Sequence, residues 1–330
     1  MTSLISVIGG ISFFLLGMMM MAEGLKAASG DTLKNMMNRF TGTTFSSIVT
    51  GTVITNITQS STATSLMTIG FVNAGILTFA QSIGVIFGAN LGSTSTAWFV
   101  AFFGVKFSIS QLAMPMVSAG VLLMLFPRGR FSQVGRATAG FGLLFFGIQL
   151  LQNGMDSLKG FLDFASFSGG SLGGRFILIV IGIVMTVIMQ SSTASVAATI
   201  TMLSVGTIQI DQAIALVIGQ NIGTTATAIV AAMGASVDVQ AKRTAAAHVL
   251  FNLVTAFILF WLFPWILSAV HSFNRLMGWN DPAAMVAVFH TFFSLCGILV
   301  LVPFIEPFAR AIMRILPDRA GDGPPGPGPA

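Results

Sequence analysis

Residues 59–63 read QSSTA, and 131 positions later residues 190–194 read QSSTA again, inside apolar surroundings both times. The echo continues at the same shift without a gap: GANLGSTSTA at 88–97 faces GQNIGTTATA at 219–228, so Gly88, Asn90, Gly92, Thr94, Thr96 and Ala97 all recur. One polar device is carried twice. Internal duplication with polar interruptions at corresponding places in two apolar halves is the sequence mark of a secondary transporter built from pseudo-symmetric repeats.

Composition agrees with that architecture. Of 330 residues, 54% are hydrophobic and only 8% charged, with a mean hydropathy of +0.90. Several apolar runs of about 20 residues are each long enough to cross roughly 30 Å of hydrocarbon, so the chain is polytopic. A net charge of +5 does not point to nucleic acid, because the fifteen Lys and Arg fall almost entirely in short connections between apolar segments. That is topology signal. The single cysteine, Cys296, lies inside an apolar run, which excludes an intramolecular disulfide and a zinc cluster. The first run, Leu4 to Ala22, lacks a basic leader and reads as a retained helix rather than a cleaved signal.

Full-length spans are expected at about 4–24, 108–126, 137–152, 244–263 and 284–304. Stretches 79–104 and 210–234 are interrupted by NLGSTST and NIGTTAT and read as broken helices. Stretches 45–73 and 175–204 carry QSSTA near their middle, leaving arms of about 10 to 16 residues, or about 15 to 24 Å. Such arms suit re-entrant hairpins better than full crossings.

Each repeat then makes three crossings, an odd number, so the second is inverted relative to the first. The expected fold is an all-α polytopic membrane protein with two inverted repeats, each holding a re-entrant hairpin and a broken helix, plus one extra C-terminal helix. The units are 1–130 and 131–265 for the repeats, 266–316 for a connector and the extra helix, and 317–330, GDGPPGPGPA included, for a disordered tail. Lys26, Lys34, Arg39, Arg128, Arg130, Arg136, Lys242, Arg243, Arg310, Arg314 and Arg319 share one face, cytoplasmic by the positive-inside rule, with the C-terminus. Lys106, Lys159, Arg175 and Arg275 take the other. Parallel repeats would divide the charges eleven to four as well, so the inverted reading rests on arm length and on the mid-depth position of QSSTA.

The motif residues supply carboxamide and hydroxyl groups that donate and accept. A hairpin turn at QSSTA aims the N-terminus of each second arm, with unpaired N–H groups, at the protein interior, where an oxyanion is bound. The same turns expose carbonyl and hydroxyl oxygens suited to an alkali cation. The expected phosphate-binding set is Gln59, Ser60, Ser61, Gln190, Ser191 and Ser192, with Asn90, Asn221, Thr94 and Thr225 from the broken helices. The expected sodium-binding set is Gln59, Ser61, Thr62, Thr64, Gln190, Ser192, Thr193 and Ser195, with Ser93 and Thr224. No Lys or Arg lies in these segments, so a bound anion needs co-bound cations.

Other polar residues read as structural. Glu23 is an interfacial end-of-helix residue, Asp211 complements a helix N-terminus, and His248 and His290 are packing histidines rather than proton shuttles. The methionine run 18–21 is lipid-facing or packing. No acid, base or metal-ligand cluster accompanies the polar segments, so catalysis is not expected.

The paired QSS motifs, each followed by G-x-N-x-G-T/S, together with H-x-x-F-N at 248–252, resemble the type II class of sodium-dependent inorganic phosphate cotransporters shared by bacteria and animals. The resemblance covers about 40–305. It implies an inverted-repeat transporter of the cell inner membrane that moves phosphate inward on the sodium gradient, with Gln59, Ser60, Ser61, Gln190, Ser191 and Ser192 at its sites. Three departures stand out. The family's triple serine is Ser-Ser-Thr here, and Leu77, Thr78 and Phe79 replace the region where electrogenic animal members carry an aspartate. The sequence ends soon after Arg319, so the cytoplasmic helical domain of some bacterial members is not expected. Sodium is the coupling ion and no other cofactor or transition metal is implied; phosphate, sodium and the bilayer are the partners, nucleic acid is not, and a homodimer is compatible. A sodium-coupled carboxylate or other oxyanion transporter, and an anion channel, are the alternatives.

Overall fold

The computed structural model describes residues 2–29, 35–37, 41–106, 110–126, 129–158, 167–233, 237–279 and 281–317, and among these the chain is helical with no strand. Lys34, Arg39, Arg128, Lys159, Arg319 and nearly all of the expected tail lie outside the described residues. The elements are α1 (Thr2–Ser29), α2 (Thr44–Thr58), α3 (Ser61–Asn73), α4 (Phe79–Phe99), α5 (Ser110–Met124), α6 (Arg130–Leu158) and α7 (Leu172–Met189). They continue as α8 (Ser192–Ser204), α9 (Ile210–Gly223), α10 (Thr225–Ala232), α11 (Val239–Trp261), α12 (Phe263–Leu276), α13 (Pro282–Leu301) and α14 (Ile305–Ile315). A π-helical segment, Val100–Lys106, prolongs α4.

Among the described residues, seven helical segments are long and apolar enough to cross a membrane: Ser3–Ala28, Phe79–Phe103, Phe131–Ser157, Leu172–Met189, Ile210–Ala232, Val239–Trp261 and Pro282–Ile315. The protein is a multi-pass membrane protein. Burial sorts these helices: the most apolar windows of α4 and the α9–α10 segment are 67% and 72% buried, those of α1 and α7 only 33% and 28%. The polar-interrupted segments therefore occupy the centre, and α1 and α7 present Leu4, Ile5, Phe176 and Ile188 outward.

The shift that aligns the motifs also aligns the helices. Adding 131 carries α3 onto α8 end for end and the start of α4 onto the start of α9. It carries the capping pair Thr78 and Gln81 onto Gln209 and Gln212. It carries α2 packed on α4 onto α7 packed on α9, and α1 onto α6. The last pair packs face to face. Gly10 lies against the backbone of Gly147, Gly17 against Gly140, and Gly24 against Gln133 and Ala137, so α1 and α6 run antiparallel. Small residues let two backbones approach in lipid, where apolar contact alone gives helices no preference for one another.

Two expectations are corrected. The first broken helix is not broken: α4 runs through Asn90 to Thr96 because Ser93, Thr94 and Ser95 return their hydroxyls to the carbonyls of Asn90, Leu91 and Gly92 at 2.7 to 2.8 Å. Gly92 serves close packing on Thr52 and Thr55 of α2 instead. The second segment divides only at Thr224, whose backbone stays helical, φ/ψ −57/−27, and whose N–H still donates to the carbonyl of Gln220 at 3.1 Å. Lengths also differ. The span expected at 108–126 holds 15 helical residues in α5, whereas the arm α7 holds 18. Ser171 caps α7 by accepting from the N–H of Gly174, which starts the helix before Arg175.

Arg175 is 3% exposed and has no ion pair among the described residues. Its guanidinium donates to the carbonyls of Gly169, Gly170 and Phe260 and stacks over the Phe263 ring at 4.1 Å. It ties the loop before α7 to the end of α11. Arg175→Ala leaves three carbonyls without their donor, each worth about 1 kcal/mol or more. A loss of about 2–4 kcal/mol is the expected outcome, seen as a lowered thermal midpoint of the detergent-solubilised protein; an unchanged midpoint contradicts the role.

Candidate functional site

Both QSSTA motifs form the same two-residue link between helices. Gln59 closes α2 and Gln190 closes α7 with left-handed backbones, φ/ψ 49/28 and 50/23. They are the only non-glycine residues with positive φ among those described. Ser60 and Ser191 follow in extended conformation, φ/ψ −149/104 and −151/108, as N-caps of α3 and α8. Each hydroxyl accepts from the N–H three residues on, Ala63 at 3.1 Å and Ala194 at 3.2 Å. The N–H groups of Ser61 and Thr62, and of Ser192 and Thr193, stand in first turns that offer no intrahelical acceptor. The two helix N-termini thus present donors and the positive ends of their dipoles at the turns.

These turns meet. A cavity of roughly 360 Å³ is lined by Thr58 to Thr62 of the first and Met189 to Thr193 of the second, and covered by Leu15, Met18, Met19 and Ala22 of α1. A second cavity, of roughly 410 Å³, lies beside the second turn, between Thr186, Gln190, Ser191 and Ser192 on one side and Thr224, Thr227 and Val230 on the other. Thr62 lines both. Every lining residue is uncharged, so an anion here finds hydroxyls, carboxamides and helix N-termini but no fixed cation.

Of the residues expected at the site, Gln59, Ser60, Ser61, Thr62, Gln190, Ser191, Ser192 and Thr193 are brought to the shared cavity, and Thr224 to the second. Thr64 and Ser195 are buried one turn deeper; the Thr64 hydroxyl accepts from Thr55 at 2.9 Å and Ser195 donates to the sulfur of Met189 at 3.4 Å. Asn90, Ser93, Thr94, Asn221 and Thr225 line neither cavity. Asn90 and Asn221 donate to the carbonyls of Ile86 and Val217 at 2.9 Å, and the Asn221 carboxamide oxygen faces Nε2 of His290 at 3.2 Å.

Four residues escape a reading of the motifs alone. Met18 and Met19, of the methionine run that reads as lipid-facing or packing, line the shared cavity. Thr96 donates to the carboxamide oxygen of Gln59 at 3.0 Å, and Thr227, its counterpart, lines the second cavity. The recurrence of Thr96 and Thr227 at the shift of 131 is the signal that singles out the threonines; nothing in the sequence singles out α1 as the cover. Glu23 pairs with Arg136 at 3.1 Å across α1 and α6, both side chains well exposed, which is an end-of-helix contact of small energetic weight.

The sequence pattern of the Na+/Pi-cotransporter family matches residues 13–153 and 163–280. Over 320 residues the chain is 32% identical to the protein YqeW of Bacillus subtilis, whose name states no function, covering 96% of this chain and 99% of that one. It is 27% identical over 325 residues to YjbB of Escherichia coli, named as an inorganic phosphate export protein; the match takes in 96% of this chain but 56% of the longer relative. Over 164 residues, 46% of this chain and 27% of the other, it is 39% identical to a Mus musculus protein named sodium-dependent phosphate transport protein 2C. No solved structure matches the chain.

Proposed function

The chain belongs to the Na+/Pi-cotransporter family, and from that premise we propose that it is a secondary-active transporter coupling sodium entry to inorganic phosphate uptake by alternating access. The observation that carries the reading is the convergence of both QSST turns on one uncharged cavity. Phosphate takes the N–H groups and hydroxyls at Gln59, Ser60, Ser61, Gln190, Ser191 and Ser192. Sodium takes the carboxamide, hydroxyl and carbonyl oxygens of the same turns, with Thr62 and Thr193. Since no arginine or lysine lines the cavity, the anion's charge is balanced by the helix N-termini and by the sodium ions themselves, which makes the two sites mutually dependent.

In this reading the repeats are 1–130 and 131–265 and are inverted. Support comes from α1 and α6, which correspond under the shift and yet run antiparallel; a two-fold axis along the membrane normal would leave counterparts parallel. Three of the four arms, α2, α3 and α8, of 15, 13 and 13 residues, reach about 20–23 Å, short of a roughly 30 Å core, which favours re-entrant hairpins, whereas α7 with 18 residues is long enough to cross. The site then lies near mid-membrane between the repeats. The loop charges support a cytoplasmic C-terminal end and an inner-membrane location.

Proteoliposomes holding the chain test the reading with radiolabelled phosphate. The expected result is saturable flux that follows the direction of an imposed sodium gradient and collapses when the gradient is dissipated. Flux that saturates equally well without sodium overturns the coupling, unsaturable flux favours a channel, and stronger competition by dicarboxylates than by arsenate favours a carboxylate substrate.

A further inference from the structure

The two turns share a backbone but not a state. In the first, the buried Thr96 hydroxyl donates to the carboxamide oxygen of Gln59 at 3.0 Å and the Gln59 amide donates to the carbonyl of Asn56. Both ends of that side chain are occupied. In the second, Gln190 is exposed and makes no side-chain hydrogen bond among the described residues, while Thr227 turns back to the carbonyl of Thr224 at 3.2 Å. The difference extends along the hairpins. Thr55 and Thr64 join the arms of the first at 2.9 Å, whereas their counterparts part: the buried Thr186 hydroxyl has no partner, and Ser195 turns to a sulfur. The 410 Å³ cavity opens where the second set of contacts is missing, lined by Thr186, Gln190 and Thr227.

Resting on the two-repeat transporter reading, we propose that Thr96 and Thr227 are alternating latches on the two turn glutamines, only one of which is closed at a time. Here the first is closed and the second open, so only the Gln190 carboxamide is free to meet a ligand. In the opposite state Thr227 releases the Thr224 carbonyl and donates to Gln190, Thr186 pairs with Ser195, and Gln59 is freed. A ligand that draws the free carboxamide toward itself competes with the latch on that side and so favours the state in which the other latch is closed. Thr96 and Thr227 are positioning residues, since they act through the glutamines.

Disulfide trapping tests this without reference to the substrate. In a Cys296→Ala background, Gln59→Cys with Thr96→Cys and Gln190→Cys with Thr227→Cys are each expected to cross-link. A chain carrying all four cysteines is expected to form one disulfide or the other, never both in one molecule. Thr96→Val, which removes only the hydroxyl, is expected to raise the 190–227 yield relative to the uncross-linked chain by roughly fivefold to tenfold, the weight of one hydrogen bond in a two-state equilibrium; Thr96→Ser restores the original yield. Thr227→Val does the reverse for the 59–96 pair. Simultaneous formation of both disulfides, absence of the 190–227 bond under every sodium and phosphate condition, or insensitivity of either yield to the opposite threonine overturns the latch. Absence of sodium-driven flux in the parent chain, beside exclusive disulfides in the four-cysteine chain, would sink the transport reading and leave the latch standing.

Discussion

Gln190→Gly is expected to fold as well as the parent chain and to lose phosphate transport by about 10- to 100-fold. The backbone of Gln190 is left-handed, φ 50, a conformation that costs a residue with a side chain about 1–2 kcal/mol and glycine nothing. Glycine repays part of that through the greater freedom of the unfolded chain, about 0.5–1 kcal/mol, so the net change in stability is close to zero. The carboxamide is what disappears, and a hydrogen bond to a charged partner is worth about 1.5–3 kcal/mol. Gln59→Gly should fall as far in transport but also lose about 1–2 kcal/mol of stability, because its carboxamide is held by Thr96 and Asn56. Alanine at either position keeps the strain and loses the function. Uptake into proteoliposomes beside a thermal melt separates these outcomes, and full transport by both glycine variants removes the glutamines from the site. A glutamine kept twice where glycine is easier points to a use for the side chain.

That strained glutamine shows where sequence reading succeeds and where it stops. The turns were legible, because QSSTA is polar among apolar residues and Ser followed by a helix is an N-cap signal. The left-handed glutamine was not, since no composition rule places glutamine there. At the interrupted helices, glycine with asparagine and hydroxyl residues read as a break, and the first proved continuous. Serine and threonine in an apolar setting can return their hydroxyls to their own helix, as Ser93 and Ser95 do, and local pattern does not distinguish that from exposure to a ligand. Asn221 shows the same limit: its carboxamide is taken by Val217 and His290, and His290 lies 69 residues away in sequence. Repeats, turns and span count are local or periodic properties. The cover of the cavity by α1 and the asymmetry between the turns depend on contacts between distant elements, and these the sequence does not display.

The asymmetry bears on the charge problem. An uncharged cavity binds a divalent or monovalent oxyanion only as fast as cations and dipoles compensate it. With one glutamine latched, the compensation available at the two turns differs even though their backbones match. Equal sequence motifs therefore need not bind equally in one conformation, which is the condition under which exchanging the two states moves a ligand instead of merely holding it.

Gly219→Val is expected to abolish the folded protein, and Gly88→Val to do the same. A Cβ at Gly219 would enter the carbonyl of Ile179, and one at Gly88 the carbonyl of Ile48. These are corresponding contacts, since both members of each pair differ by the shift of 131. The obstructing atoms are backbone within helices, so no rotamer change relieves them, and separating α7 from α9 or α2 from α4 is the only escape. Overpacking a well-filled interior costs about 1–3 kcal/mol when side chains can yield; here they cannot, and the cost falls on two helix pairs that hold the turns in place. Gly9→Ala and Gly70→Ala serve as controls, for a Cβ there meets nothing within 4 Å, and alanine in a helix gains up to about 1 kcal/mol over glycine. Size-exclusion profiles and thermal midpoints of the solubilised variants give the reading: monodisperse peaks for the controls, aggregate or no protein for the valines. Even Gly219→Ala should lower the midpoint by several degrees. Should Gly219→Val elute as a folded monodisperse species, the close approach of α7 and α9 that sets the second turn against Thr224 is not the packing the protein uses.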